Sequence, residues 1–324
     1  MAVLNIRKAE REGSRLVFGI AGISGSGKTF TALQLAYGLA NYDASKVGFL
    51  DTENRRGSLY ADALHNHPTH PTREPFLIGD LYAPFSPKRY KDAILEFQQA
   101  GVEVLVIDSV SHEWEGDGGC EDIAHAGNPR IPNWKDAKRE HKSFMSTLLQ
   151  SDMHVIVCIR AREKTDFKNP KAPVSLGIQP ICEKNFMFEM TASMMMWNEG
   201  LAQDVMKCPA ELRPMLGREQ GYITAADGAA IRAWVDGAKQ LDPRVEHARN
   251  TLRTVTEQGM EALVKAWQGL PAEVRKAISP AGTCPDEYKA AARDFDAQRA
   301  NDNGRQLDEL NNQVMGGDDA DQAA

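Results

Sequence analysis

Short unbroken apolar runs recur along the first two-thirds of the chain. They are Leu16-Val17-Phe18-Gly19-Ile20-Ala21, Val47-Gly48-Phe49-Leu50, Phe76-Leu77-Ile78, Val104-Leu105-Val106-Ile107 and Val155-Ile156-Val157-Cys158-Ile159. Runs of this kind, rather than strict alternation, predict strands buried on both faces, as in a parallel sheet. Segments with helical spacing lie between them. Ala32, Leu35 and Ala36 share one face, and Tyr90, Ile94 and Phe97 share another after the Ser86-Pro87 start signal. Residues 134–150 read as a third helix and 225–237 as a closing one. A strand is expected over 186–197 with a helical turn before it, and a short hairpin over 201–224. Strands alternating with helices predict an α/β fold with a doubly wound, mostly parallel sheet.

The rhythm changes near Leu241. Ala248, Leu252 and Val255, then Leu263, Trp267 and Leu270, keep helical spacing, and Pro271 and Pro285 each open a further short helix. The expected organisation is therefore a first domain over 1–240, a small helical region over 241–300 and a tail over 301–324. The tail has few apolar residues and ends Gly316-Gly317-Asp318-Asp319, which predicts a disordered acidic segment. Residues 3–6 form a candidate edge strand, 54–64 a loop with a short helix, and 116–119 a Gly-rich loop. Residues 161–180 are polar, basic and Pro-containing, and read as a mobile loop.

Composition narrows the class. The chain has 324 residues, 42% of them hydrophobic, and a formal net charge of −7. No run reaches the length of a membrane span and no signal peptide is visible, so no membrane partner is expected. The five cysteines include no CxxC pair, so neither a zinc site nor a disulfide framework is suggested, and a reduced cytoplasm is the expected setting. His65, His67 and His70 cluster between Pro68 and Pro71, where a solvated loop outweighs a metal site. The acidic balance means that any nucleic-acid contact must come from a local basic patch.

The densest chemistry lies at Gly22-Ile23-Ser24-Gly25-Ser26-Gly27-Lys28-Thr29, which fits G-x-x-x-x-G-K-[ST]. A phosphate cradle needs several backbone N–H groups turned inward, and Gly22, Gly25 and Gly27 tolerate the backbone angles involved. A strand precedes the loop, and a helix follows it from Phe30. Strand, loop and helix together are the context this motif requires, and ATP is the expected ligand. The nucleotide contacts are assigned to Gly22, Ser24, Gly25, Ser26, Gly27, Lys28, Thr29 and Phe30. Lys28 is placed on the β- and γ-phosphates, and the Thr29 hydroxyl on Mg²⁺.

Gly22, Glu53, Asp108 and Arg160 each end a predicted strand, and ligands of doubly wound sheets bind at that edge. Asp108 is expected to share the Mg²⁺ with Thr29. Glu53 is the first candidate for orienting or deprotonating water, with Glu113 and Glu115 as rivals. Arg160, Arg162, Lys164, Phe167, Lys168 and Lys171 crowd one polar segment. Cations for phosphates and one aromatic for stacking make it a candidate single-stranded DNA contact, weighed equally against a merely solvated loop. Residues 116–133 are a second candidate with less charge. Lys207 and Arg213 are candidates for reaching a neighbouring subunit's phosphates, and each is equally an ordinary surface charge.

With these residues in view, the chain resembles the RecA family of ATPases, and more narrowly the phage-encoded RecA-like ATPases often labelled AAA. The match rests on Asn5-Ile6-Arg7-Lys8-Ala9, Gly48-Phe49-Leu50-Asp51-Thr52-Glu53-Asn54-Arg55, Phe85-Ser86-Pro87 and Leu105-Val106-Ile107-Asp108-Ser109-Val110-Ser111-His112-Glu113-Trp114-Glu115-Gly116, and covers roughly 3–238. The resemblance implies a RecA-like P-loop NTPase fold and ATP hydrolysis with Mg²⁺. It also implies catalytic roles for Lys28, Glu53, Asp108 and Arg160, the last standing where the family carries an amide side chain. It implies single-stranded DNA and a homo-oligomer as partners, and a role in recombination or replication in a host cytoplasm. The tail is a candidate docking segment for a replication or recombination protein. Two alternatives on the same fold are a small-molecule phosphotransferase and a non-hydrolysing nucleotide switch.

Overall fold

The computed structural model describes residues 15–65, 67–127, 131–166, 173–237, 243–279 and 281–315. The chain divides into a unit over 1–240 and a unit over 241–324. In the first unit, β1 (Val17–Gly22) is followed by α1 (Lys28–Leu39), β2 (Val47–Asp51), β3 (Leu77–Asp80), α2 (Pro87–Gln99) and β4 (Val104–Asp108). Then come α3 (Ser111–Glu115), α4 (Cys120–His125), α5 (Trp134–Leu149), β5 (His154–Asp166) and β6 (Val174–Pro180). The unit ends with α6 (Phe186–Glu189), β7 (Ala192–Trp197), β8 (Ala202–Lys207), α7 (Arg213–Leu216) and α8 (Ala225–Asp236).

The strands lie in the order β3-β2-β4-β5-β1-β7-β8, with β6 paired to β5. All pairs among β3, β2, β4, β5, β1 and β7 are parallel; β5–β6 and β7–β8 are antiparallel. The doubly wound, mostly parallel sheet expected from the apolar runs is present. The runs alternate sides: Phe18, Val106 and Ile156 join the core under α1 and α8, whereas Val17, Leu105 and Val155 join the core under α2 and α5. Both faces are thus covered, which is why these strands read as continuous apolar stretches.

Helix α1 is buried nearly all round rather than on the single face its sequence suggests. Its Gly38 lies so close to α8 that a Cβ there would meet the Ala225 carbonyl oxygen at 1.8 Å, and one on Gly228 would meet the Leu35 carbonyl oxygen of α1 at 2.3 Å. Small residues let the two helix backbones touch.

Three expectations give way. Within the expected mobile loop over 161–180, residues 161–166 and 174–180 are strand: β5 runs on past the sheet and pairs with β6 as a ribbon, from Ala161 opposite Pro180 to Asp166 opposite Val174. The alternation Val174-Ser175-Leu176-Gly177-Ile178-Gln179 carries that strand signal. Residues 201–224 are not a self-contained hairpin, because β8 pairs back onto β7. The stretch after Asp108 holds two short helices, α3 and α4, where glycines suggested only loop.

The second unit consists of α9 (Pro243–Thr256), α10 (Met260–Gly269), α11 (Ala272–Ile278) and α12 (Asp286–Met315). Leu252, Leu263, Trp267, Tyr288 and Ala292 form its main core. The Asp296 carboxylate accepts from the Met260 N–H at 2.9 Å and so joins α12 to the start of α10. Helix α12 is assigned as far as Met315. Residues 316–324, like the candidate edge strand over 3–6, lie outside the described residues.

Candidate nucleotide site

The site is assembled at the carboxyl edge of the parallel strands. Gly22 sits opposite Arg160 in register, and Asp51 opposite Asp108. An open cleft of roughly 380 Å³ above this edge is lined by Ser24, Gly25, Lys28, Thr29, Asp51, Glu53, Asp108, Glu115, Arg160 and Arg162, with Phe49, Leu59 and Tyr60 as an apolar wall.

One wall is the phosphate loop. Gly25 and Gly27 have φ of 79° and 90°, the left-handed region that glycine enters without strain. A Cβ on Gly27 would also meet the Glu199 carbonyl carbon at 2.5 Å, so the turn after β7 presses against the loop at this point. The Lys28 ammonium donates to the Ile23 carbonyl at 2.8 Å. Ser24, Gly25, Lys28 and Thr29 face the cleft. Gly22 ends β1 beneath it, and Ser26 is buried with its hydroxyl 3.5 Å from the Lys28 ammonium. Phe30 is 50% exposed and does not line the cleft.

The Thr29 hydroxyl donates to Asp108 Oδ2 at 2.5 Å, joining the loop to the end of β4 across two strands' width of sheet. Burial pushes the Asp108 carboxyl up to about 6, with the Thr29 hydrogen bond and Lys28 opposing and Glu53 and Asp51 reinforcing. A hydroxyl and a carboxylate held together are hard oxygen donors of the kind Mg²⁺ takes, so these two residues fit that ion.

The facing wall is built from three strand ends. Asp51, 1% exposed, accepts from the Glu53 N–H and from the Gly57 N–H, each at 2.6 Å. Two backbone donors on one carboxylate fix the turn that carries Glu53, in which Asn54 and Arg55 have φ of 57° and 66°. Glu53 Oε1 then lies 3.7 Å from Arg160 Nε, and its other oxygen 4.0 Å from Arg56. Arg160 is held at its backbone by the Ser111 hydroxyl, at 2.9 Å, and at its guanidinium by His112, with Nη1 to Nε2 at 3.2 Å.

The His112 tautomer follows from its partners. Arginine can only donate, so His112 Nε2 accepts and Nδ1 carries the proton. Nδ1 then donates to the Thr52 hydroxyl at 2.8 Å, and Thr52 donates onward to the Ser109 carbonyl at 2.9 Å. The Ser109 N–H returns to the Thr52 oxygen at 2.8 Å. Burial holds the His112 pKa down, and the Arg160 charge adds to this against Glu53 and Glu115. The chain Arg160–His112–Thr52–Ser109 therefore joins the ends of β5, β2 and β4. Neither Asp51 nor His112 was singled out from sequence as a site residue; the strand-end cluster Asp51-Thr52-Glu53 and the Ser111-His112 pair were the available signals.

The remaining candidates separate. Glu113 is 1% exposed, pairs with His141 at 3.0 Å and does not line the cleft, so its candidacy as the base fails on position. Glu115 lines the cleft but pairs with Arg162 at 2.8 Å. Lys164 is exposed on the ribbon; Phe167, Lys168 and Lys171 lie outside the described residues. Lys207 donates to the Phe188 carbonyl at 2.8 Å, and Arg213 is exposed at the start of α7; neither lines the cleft. His70 stacks on Tyr42 with ring centroids 3.7 Å apart, and the histidine loop forms no metal-ligand cluster among the described residues. No described helix is long and apolar enough to cross a membrane.

A family model described as an AAA domain matches residues 14–193. Among solved structures, the crystal structure of a KaiC-like protein from the hyperthermophilic archaeon Pyrococcus horikoshii is similar at 17% identity and a TM-score of 0.33, over 57% of this chain and 71% of that one. No curated protein matches the chain.

Proposed function

The chain belongs to the AAA-domain family, and from that premise we propose that it binds ATP with Mg²⁺, hydrolyses it, and couples the hydrolysis to single-stranded DNA as a homo-oligomer. The observation that carries this reading is the convergence of Lys28, the Thr29–Asp108 pair and the Glu53–Arg160 pair on one cleft. The loop's backbone N–H groups and the Lys28 ammonium bind the phosphates. Thr29 and Asp108 hold Mg²⁺, which neutralises charge on the phosphates when bound. Glu53 orients the attacking water and accepts its proton, the usual task of a carboxylate at this position in the chemistry. Arg160 offsets the negative charge that develops on the transferred phosphoryl group.

The DNA part of the reading rests on the ribbon. Arg160 is the residue at which β5 leaves the sheet edge, so a cation that lines the cleft is also the root of the ribbon. Arg162 and Lys164 stand on the ribbon, and Phe167, Lys168 and Lys171 belong to its connecting segment in sequence. Stacking and phosphate contacts of this kind bind single strands without sequence preference. Lys207 and Arg213 are proposed to reach a neighbouring subunit's phosphates. The biological setting we propose is recombination or replication of a phage in a host cytoplasm, with the acidic C-terminal segment as a docking site for a partner protein.

The test is the steady-state ATPase rate with and without a single-stranded oligonucleotide, joined to a salt titration of oligonucleotide binding. Stimulation by the oligonucleotide supports the reading. Replacing Lys164, Lys168 and Lys171 together should lower the magnitude of the log affinity against log salt slope by about 2. Turnover that needs a small phosphate acceptor would instead favour a phosphotransferase, and binding without turnover a nucleotide switch.

A further inference from the structure

Beginning at Glu113, the residue after His112, three side chains from three helices converge on one buried point. Glu113 comes from α3, Cys120 from the start of α4 and His141 from α5. All three are buried, at 1%, 0% and 7% exposure, and one donor atom of each lies within 4.8 Å of the others. Glu113 Oε1 is 3.0 Å from His141 Nδ1 and 3.2 Å from Cys120 Sγ. Aromatic rings close the surroundings: Trp114 stands edge-on to His141 at 5.5 Å, and Phe186 lies 6.1 Å from it.

We propose that Glu113, Cys120 and His141 bind a borderline divalent cation of the zinc type, a site separate from the Mg²⁺ position at Thr29 and Asp108. Zinc takes thiolate sulfur at about 2.3 Å and imidazole nitrogen or carboxylate oxygen at about 2.0–2.2 Å. Tetrahedral edges built from those bonds are roughly 3.3–3.6 Å. The two short edges already present are within a few tenths of an ångström of that, the Cys120–His141 edge lies within 4.8 Å, and the three side chains supply three of the four tetrahedral positions. The charges also balance. Binding releases the thiol proton, after which one thiolate, one carboxylate and one neutral imidazole cancel the two positive charges of the ion. A sulfur, a nitrogen and an oxygen donor on a protected interior point select zinc over magnesium, which prefers an all-oxygen shell.

The ion would tie α3, α4 and α5 together. Helix α3 carries Ser111 and His112, the two residues that hold Arg160, so the tie braces the hydrolytic wall without touching the nucleotide. The inference does not depend on the ATPase reading, because none of the three ligands lines the nucleotide cleft.

The experiment uses the full-length protein, stripped with chelator and titrated with Co²⁺. The expected result is one equivalent bound with a thiolate-to-cobalt charge-transfer band. Cys120→Ser should abolish the band and weaken Co²⁺ binding at this site by about 100-fold or more. Asp108→Asn should leave the band intact, since the Mg²⁺ position has no sulfur. Zinc K-edge absorption on the zinc-loaded wild type needs no variant to fold, and should show one sulfur at about 2.3 Å. No charge-transfer band in the wild type, a band that survives Cys120→Ser, or a zinc shell without sulfur would each overturn the proposal and leave the triad a hydrogen-bonded cluster.

Discussion

The phosphate-loop wall and the Glu53–Arg160 wall of the same cleft differ in how their parts are spaced along the chain. The first is eight consecutive residues, and its shape follows from glycines at fixed steps and the helix that starts beside them. The second joins Asp51, Thr52 and Glu53, then Ser109, Ser111 and His112, then Arg160, from the ends of three strands. Local backbone geometry builds one and tertiary hydrogen bonding builds the other. Damage to the first should therefore remove binding, and damage to the second should spare binding while slowing the chemical step.

The largest expected effect is on the loop. Lys28→Ala removes the only side-chain point charge the loop offers to the phosphates, and should abolish hydrolysis and weaken ATP binding by at least about 100-fold, read by nucleotide titration. Next comes Glu53→Gln, which keeps the shape but cannot accept a proton. Turnover should fall by roughly 10²–10⁴ while ATP affinity stays within a few-fold. Equal activity in Glu53→Gln, with loss in Glu115→Gln, would reassign the base to the other carboxylate that lines the cleft.

A smaller effect should follow His112→Ala. It unlinks Arg160 from Thr52, so kcat should drop by about tenfold with little change in nucleotide affinity, because a misplaced guanidinium is felt in the transition state. Restoration of kcat in His112→Asn, whose amide can still accept from Arg160, would separate positioning from folding. An affinity loss equal to the kcat loss would dissolve the distinction between the two walls.

The smallest effect is remote from both. His154 is fully buried at the start of β5, and its Nδ1 accepts from the Leu16 N–H at 3.2 Å. Burial, with Arg15 and Arg232 adding, pushes its pKa down to about 3. The unfolded chain takes up a proton on this ring below about 6.5 and the folded chain does not, so stability is lost as pH falls from about 6.5 towards 3. Between pH 7 and 5 the contribution is about 1–2 kcal/mol. His154→Gln should flatten that part of the melting-temperature profile, measured by calorimetry, and leave ATP affinity untouched.

The same contrast decides what could be read from the sequence. The loop, α1 and the strand delivering Asp108 were legible because each is a contiguous pattern with its own physical cause. The ribbon was missed because its cationic half masked the alternation in 174–179. Helices α3 and α4 were hidden by Gly116, Gly118 and Gly119, although Trp114, Cys120 and Ala124 pack together there. Their partners Ala137 and Trp134 arrive from α5, beyond any local window. The Ser111-His112 pair marked a place but not a role for His112, since Thr52 and Arg160 reach it only through the strand order. Glu113 read as a rival base because it follows Asp108 in sequence, but α3 carries it into the interior.

The most direct test of the central claim is phosphate release by the purified wild type given Mg²⁺ and ATP and no phosphate acceptor, beside Glu53→Gln under the same conditions. The account predicts ADP and phosphate in equal amounts from the wild type, and ATP bound but returned intact from the variant. Bound ATP returned intact from both proteins would contradict it, and would make the cleft a nucleotide switch rather than a catalyst.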